Sequence, residues 1–127
     1  MNQHIFQYPA KCVNVVDGDT IDVVLDCGLH VHRTERLRLL GVNCPELHAA
    51  DPAVRAAALA AKHFTSDTID EWQSAPSVEW PLLVDTYKAD AFGRYLADVT
   101  SNTFHSDTLS GEIIANGHGV AFMVGKP

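Results

Sequence analysis

From residue 11 onward the chain shows two hydrophobic rhythms in succession. Residues 11–16 are rich in β-branched side chains, Asp17-Gly18 supplies turn chemistry, and residues 20–25 form a second β-rich run. Cys27-Gly28 makes the next turn. Residues 29–42 then alternate polar and apolar positions in stretches, as a strand with one buried face does. Consecutive strands joined by tight turns predict an antiparallel meander.

The rhythm then lengthens. Asp51-Pro52 places a carboxylate at an N-cap position and a proline at the first helical position, both favoured helix starts. Val54, Ala58, Ala61, Thr65, Thr68 and Trp72 recur at spacings of three and four, which predicts a helix from Ala53 to about Trp72 with that stripe on a core. Residues 74–77, with Pro76, break it. Residues 78–86 and 94–99 read as two more strands around the polar loop 87–93, and a short helix over 107–116 ends at Gly117. The order of three strands, a helix, two strands and a helix predicts an α+β fold on a small closed or nearly closed barrel, the OB type among others.

Composition adds limits. A length of 127 residues fits one domain, and 46% hydrophobic with 20% charged residues is ordinary for a folded, soluble chain. Sixteen acidic against nine basic residues give a formal charge of −7, so the average field repels a polyanion. That argues against a plain DNA-binding module; contact with nucleic acid needs a local arginine cluster or a cation that offsets the carboxylates. Cys12, Cys27 and Cys44 are odd in number and lack CxxC spacing, which favours reduced thiols over a disulfide framework. The N-terminal stretch has no basic region followed by an apolar one, and no apolar run approaches the ~20 residues of a membrane span. The expectation is a cytoplasmic protein without signal peptide or membrane contact.

Four local features carry chemistry. Asp17-Gly18-Asp19-Thr20 is a turn with two carboxylates, and alternation through residues 36–42 sends Arg36 and Arg38 to one face. Asn43-Cys44-Pro45-Glu46 follows directly, and Asp90-Ala91-Phe92-Gly93-Arg94 delivers a guanidinium at a strand start. Carboxylate, amide and main-chain carbonyl oxygens suit a hard cation such as Ca²⁺. Two arginines can clamp a phosphodiester and hold the charge that builds on its oxygens, while a free carboxylate orients or deprotonates water. Together these are the parts of metal-assisted phosphodiester hydrolysis. Taken singly, each has a simpler reading: DGDT is a turn, a strand arginine is a solvated face, and Pro45 ends a strand.

The runs Val15-Val16-Asp17-Gly18-Asp19-Thr20-Ile21, Arg38-Leu39-Leu40-Gly41-Val42-Asn43-Cys44-Pro45-Glu46 and Phe92-Gly93-Arg94-Tyr95-Leu96-Ala97 closely resemble the staphylococcal nuclease (thermonuclease) family. The resemblance extends from about Cys12 to Met123 and implies one nuclease-like domain over residues 1–127. It implies a five-stranded OB-type β-barrel with two or three packed helices, and Ca²⁺-dependent cleavage of DNA or RNA that leaves 3′-phosphate ends. By position, Asp19 matches the metal-binding aspartate, Arg38 and Arg94 the two phosphate-binding catalytic arginines, and Glu46 the catalytic glutamate. Cys44 stands where a main-chain carbonyl reaches the metal. Asn43 replaces an aspartate, which keeps an oxygen ligand but removes a negative charge. Ala91 replaces a lysine and Phe92 a tyrosine of the best-known member, and the third helix of longer members is largely missing.

Other candidates have plainer readings. His30 and His32 are expected as surface strand residues, because a zinc site wants four ligands with recognisable spacing. Trp72 and Trp80 read as packing, whereas Tyr87, Phe92 and Tyr95 flank Arg94 and suit stacking on a nucleobase. The expected partner is a nucleic-acid substrate, bound by a monomer. The alternative is a non-catalytic nuclease-like OB domain that binds nucleic acid or a protein ligand.

Overall fold

Turn chemistry decides where the chain first folds back. In the computed structural model, which describes residues 6–89, 93–103 and 107–122, β1 (Phe6–Asp17) turns at Gly18 and returns as β2 (Thr20–Asp26). There follow β3 (His32–Leu39), the short β4 (Val42–Asn43), α1 (Pro52–Trp72), β5 (Leu82–Ala89), β6 (Tyr95–Ser101), α2 (Leu109–Ala115) and β7 (Val120–Ala121). Five strands close a barrel in the order β1-β2-β3-β6-β5, and β4 pairs with β7 beside it.

Closure depends on β1 serving two neighbours. Register shifts between Cys12 and Asn14 and between Val15 and Asp17 bend the strand. Its first half pairs with β5, from Phe6↔Thr86 to Ala10↔Leu82, and its second half pairs with β2. β3 and β6 run parallel, with Leu37↔Tyr95 and Arg38↔Leu96 in register. The result is the expected α+β fold of OB type.

Inside lie Ala10, Ile21, Val23, Leu37, Leu39, Leu82, Val84, Ala97 and Val99, all fully buried. Helix α1 closes this core with Ala58, Ala61, Thr65, Ile69 and Trp72. Asp51 caps it as expected, its Oδ1 accepting from the Ala53 amide at 2.9 Å. The sequence stripe included Thr68 where the buried residue is Ile69. Both follow Thr65 at helical spacing, and only the direction of the barrel wall chooses between them.

Other boundaries move for local reasons. The strand expected over 78–86 begins at Leu82, where pairing with Ala10 starts, and it continues to Ala89 into the expected loop. The long segment 29–42 is interrupted twice. Leu29 and His30 take left-handed φ values of 57° and 62° in the β2–β3 turn, and Gly41 at 87° separates β3 from β4. Strand β7 was not expected. Trp72 is buried, while Trp80 is half-buried with Lys11 Nζ 5.4 Å from its ring centroid and His32 edge-on at 5.1 Å.

Candidate active site

The Asp17–Thr20 turn is fixed by close approach. A Cβ on Gly18 would lie 2.9 Å from both Ala61 Cβ and Cys44 Sγ, so only glycine lets the turn, α1 and the loop after β4 meet here. Buried Thr65 on α1 adds a hydrogen bond from Oγ1 to the Gly18 carbonyl at 2.7 Å, and the Leu39 amide donates to the Asp19 carbonyl at 2.9 Å. The carboxylate of Asp19 is thereby delivered to the end of β3. Its Oδ2 accepts from the Cys44 amide at 2.9 Å and its Oδ1 from Thr20 Oγ1 at 3.2 Å.

Arg38 faces Asp19 from the neighbouring strand, with 8% of its surface exposed. Its Nη1 donates to the main-chain oxygens of Leu39 and Val42, both at 2.8 Å. Nη2 donates to Asn43 Oδ1 at 3.1 Å and lies 3.6 Å from Asp19 Oδ2. A guanidinium has five N–H groups. Both of those on Nη1 are committed to carbonyls and one of those on Nη2 to Asn43, so Nε–H and the second Nη2 N–H are the donors without a hydrogen bond among the described residues. A guanidinium N–H pair on one edge is the fork that binds a phosphate through two parallel hydrogen bonds.

Asn43 is held by the β4–β7 pair, opposite Val120. Gly119 makes that pairing possible: a Cβ there would be 2.7 Å from Val42 Cγ2 and 3.2 Å from the Asn43 carbonyl. Glu46 follows on the same loop and is exposed. Arg94 is half-buried after Gly93, whose φ is 81°, and directly precedes Tyr95, which pairs with Leu37. The parallel β3–β6 pairing therefore brings the Arg94 end of one strand beside the Arg38 end of the other.

Charge is crowded here. Burial, followed by the hydrogen bond and negative charge of Asp19, pushes the Asp17 carboxyl up to about 6. A turn under that repulsion, with Asp19 and the Asn43 amide nearby, presents an all-oxygen donor set to a hard cation. In donor chemistry these side chains are of the kind a hard cation takes, with Asn43, whose Oδ1 accepts from Arg38, supplying one charge fewer than a carboxylate would. Cys44 is buried against Gly18, and burial first, then the Asp19 carboxylate, pushes its thiol up to about 12. It stays protonated near neutral pH and is no thiolate ligand or nucleophile. Among the described residues no group of three or more His, Cys, Asp or Glu side chains is set to hold a metal.

The structure brings Asp19, Arg38, Asn43 and Cys44 into one hydrogen-bonded cluster and sets Glu46 on its adjoining loop. Tyr95 is placed differently. It lines the open end of the barrel with Leu37, whereas Arg38 lies on the other side of β3. Phe92 lies outside the described residues. Sequence reasoning read Asp17 and Thr20 as parts of a turn and Thr65 as part of a core-facing stripe, and gave none of the three its own role in the site. The two carboxylates of DGDT were a visible signal for Asp17, but nothing in the sequence ties Thr65 to a turn 47 positions away.

An OB-type barrel with this cluster on its flank defines a nuclease-like protein. The family model described as staphylococcal nuclease homologue matches residues 36–126, and the chain belongs to that family. The match contains Arg38, Asn43, Cys44, Glu46 and Arg94, while Asp19 lies before it and is tied to it by the contacts with Arg38 and Cys44. No curated protein matches the chain. No helix among the described residues is long and apolar enough to cross a membrane.

Proposed function

We propose that the protein is a Ca²⁺-dependent endonuclease acting on exposed or single-stranded DNA or RNA. The observation that carries this reading is Arg38, a buried guanidinium locked through Nη1 to two carbonyls and held through Nη2 beside Asp19 and Asn43, whose Nε–H makes no hydrogen bond among the described residues. Asp19, Asn43 and the Cys44 carbonyl would hold the ion, which when bound neutralises charge on the phosphate and polarises it. Arg38 and Arg94 hold the non-bridging oxygens and take up charge as the phosphorus becomes five-coordinate. Glu46 accepts a proton from the attacking water. The water oxygen bonds to phosphorus, the P–O5′ bond breaks, and O5′ takes a proton from solvent. The products are a 3′-phosphate and a 5′-hydroxyl.

End-group analysis tests the chemistry. Fragments should resist extension by a polymerase until a phosphatase removes the 3′-phosphate. Direct extension would overturn the assigned bond cleavage.

Asn43 together with the net charge of −7 favours a second reading, a non-catalytic domain that binds nucleic acid or a protein ligand on the same scaffold. The two diverge in a simple experiment. A working site predicts that Ca²⁺ with a nucleotide raises Tm, since a ligand that binds only the folded state stabilises it. No shift at millimolar Ca²⁺ favours the binding module.

A further inference from the structure

The end of the barrel between the start of β1, the later residues of β5 and the start of β6 holds a cavity of about 440 Å³. The catalytic cluster does not use it. Its floor is apolar, made by Leu25 and the fully buried Leu37. Its walls are aromatic: Tyr8, Tyr87 and Tyr95, with Phe6 stacked on Tyr8 at a centroid separation of 6.2 Å and an interplanar angle of 23°.

A purely apolar cup would suit any greasy group, but the rim of this one is polar and paired. Arg33 donates through Nε to Glu35 Oε2. The Nη donors of Arg33 and the second oxygen of Glu35 make no hydrogen bond among the described residues. The arginine is 63% exposed and the glutamate 19%, so both are reachable. A donor group and an acceptor group side by side match the mixed edge of a nucleobase, while tyrosine rings match its faces. The volume lies within the range of small-molecule sites and exceeds what a single base needs.

We propose that the barrel end is a nucleobase pocket, in which tyrosine rings stack on an unpaired base and Arg33 with Glu35 reads its polar edge. The assignment of a base rather than another flat aromatic rests on the nuclease reading. Leu37 and Arg38 are consecutive on β3 and face opposite sides. A strand held at the phosphate cluster thus places a base in the pocket only where it turns over the edge of the barrel. Unstacked, flexible single strands make that turn and stiff duplex does not, so the pocket selects single-stranded substrate.

Cys27 reports on the pocket without any mutation, because its exposed thiol lines the cavity whereas Cys12 is half-buried and Cys44 is buried. The experiment is the rate of Cys27 alkylation by iodoacetamide in the wild-type chain, with cytidine, adenosine or uridine added and ribose as control. Nucleosides carry no phosphate and do not engage the arginine cluster. One stacked, edge-bonded base corresponds to a Kd on the order of 1 mM. At about 10 mM, the best nucleoside should slow labelling roughly tenfold, and Arg33→Ala should reduce that protection to less than about threefold. Unchanged labelling with all three nucleosides, or equal protection by ribose, would overturn the pocket. Protection in a protein that cleaves nothing keeps the pocket and removes the nuclease reading; cleavage without protection does the reverse.

Discussion

Replacing Arg38 by lysine separates the two roles that the geometry gives this side chain. Arg38→Lys keeps the positive charge next to Asp19 and loses the fork. In the wild type, Nη1 bonds two carbonyls at 2.8 Å and Nη2 bonds Asn43 Oδ1 at 3.1 Å. A single ammonium at the end of a shorter stem restores at most one of these three. Two charge-assisted hydrogen bonds at about 1.5 kcal/mol each, the low end of their range, give a loss of about 3 kcal/mol. For a domain of this size about 4 °C accompanies each kcal/mol, so Tm should fall by roughly 12 °C. Catalysis should fall for a different reason. Losing one preorganised bidentate contact to the phosphate costs about 10²–10³ in kcat/KM. The assay pairs calorimetric unfolding with Ca²⁺-supported digestion of single-stranded DNA, run far below the lower Tm so that unfolding does not mimic inactivation. A Tm drop below about 4 °C would refute the structural role, and kcat/KM within about fivefold of wild type would refute the phosphate clamp.

Three further predictions follow from neighbouring contacts. Thr65→Val, nearly isosteric, leaves the buried Gly18 carbonyl without its 2.7 Å hydrogen bond and should cost about 1–3 kcal/mol by denaturant unfolding, while Thr65→Ser should recover most of it. Asn43→Asp restores a carboxylate beside Asp19 and should lower the Ca²⁺ concentration for half-maximal cleavage roughly tenfold; an unchanged requirement would count against Asn43 as a ligand. Asp17 is held up to about 6 in the fold against 3.8, so its protonated form favours folding below pH 3.8 and that contribution is lost as pH rises to about 6. Asp17→Asn should therefore remove part of the fall in stability across that window, and equal slopes for both proteins would contradict the assigned repulsion.

Much of this architecture is legible in local sequence because local physics makes it. The Asp51-Pro52 start, the Gly18 turn and the alternation that puts Arg36 and Arg38 on one face are decided within a few residues. What stayed hidden is long-range. Nothing near Ala10 says that it will pair with both Leu25 and Leu82, yet those pairings close the barrel. Strand β7 has two residues and exists only because Gly119 lets the chain lie against β4. The site was legible in kind, since DGDT, the arginine strand and Glu46 each name a chemistry. Its coupling was not: the thiol of Cys44 gave no sign that it packs on Gly18, and Tyr95 gave no sign that it faces the barrel end rather than the arginines.

The central claim is that this cluster cleaves phosphodiesters with Ca²⁺, and one digestion addresses it directly. Purified protein is incubated with single-stranded DNA and with RNA, in millimolar Ca²⁺ or in excess chelator, beside Glu46→Ser, whose exposed position leaves the fold intact. The account predicts cleavage that requires Ca²⁺ and falls by at least about 10²-fold in the variant. Folded wild-type protein that cleaves neither substrate, or a Glu46→Ser variant that cleaves as fast as wild type, would contradict it.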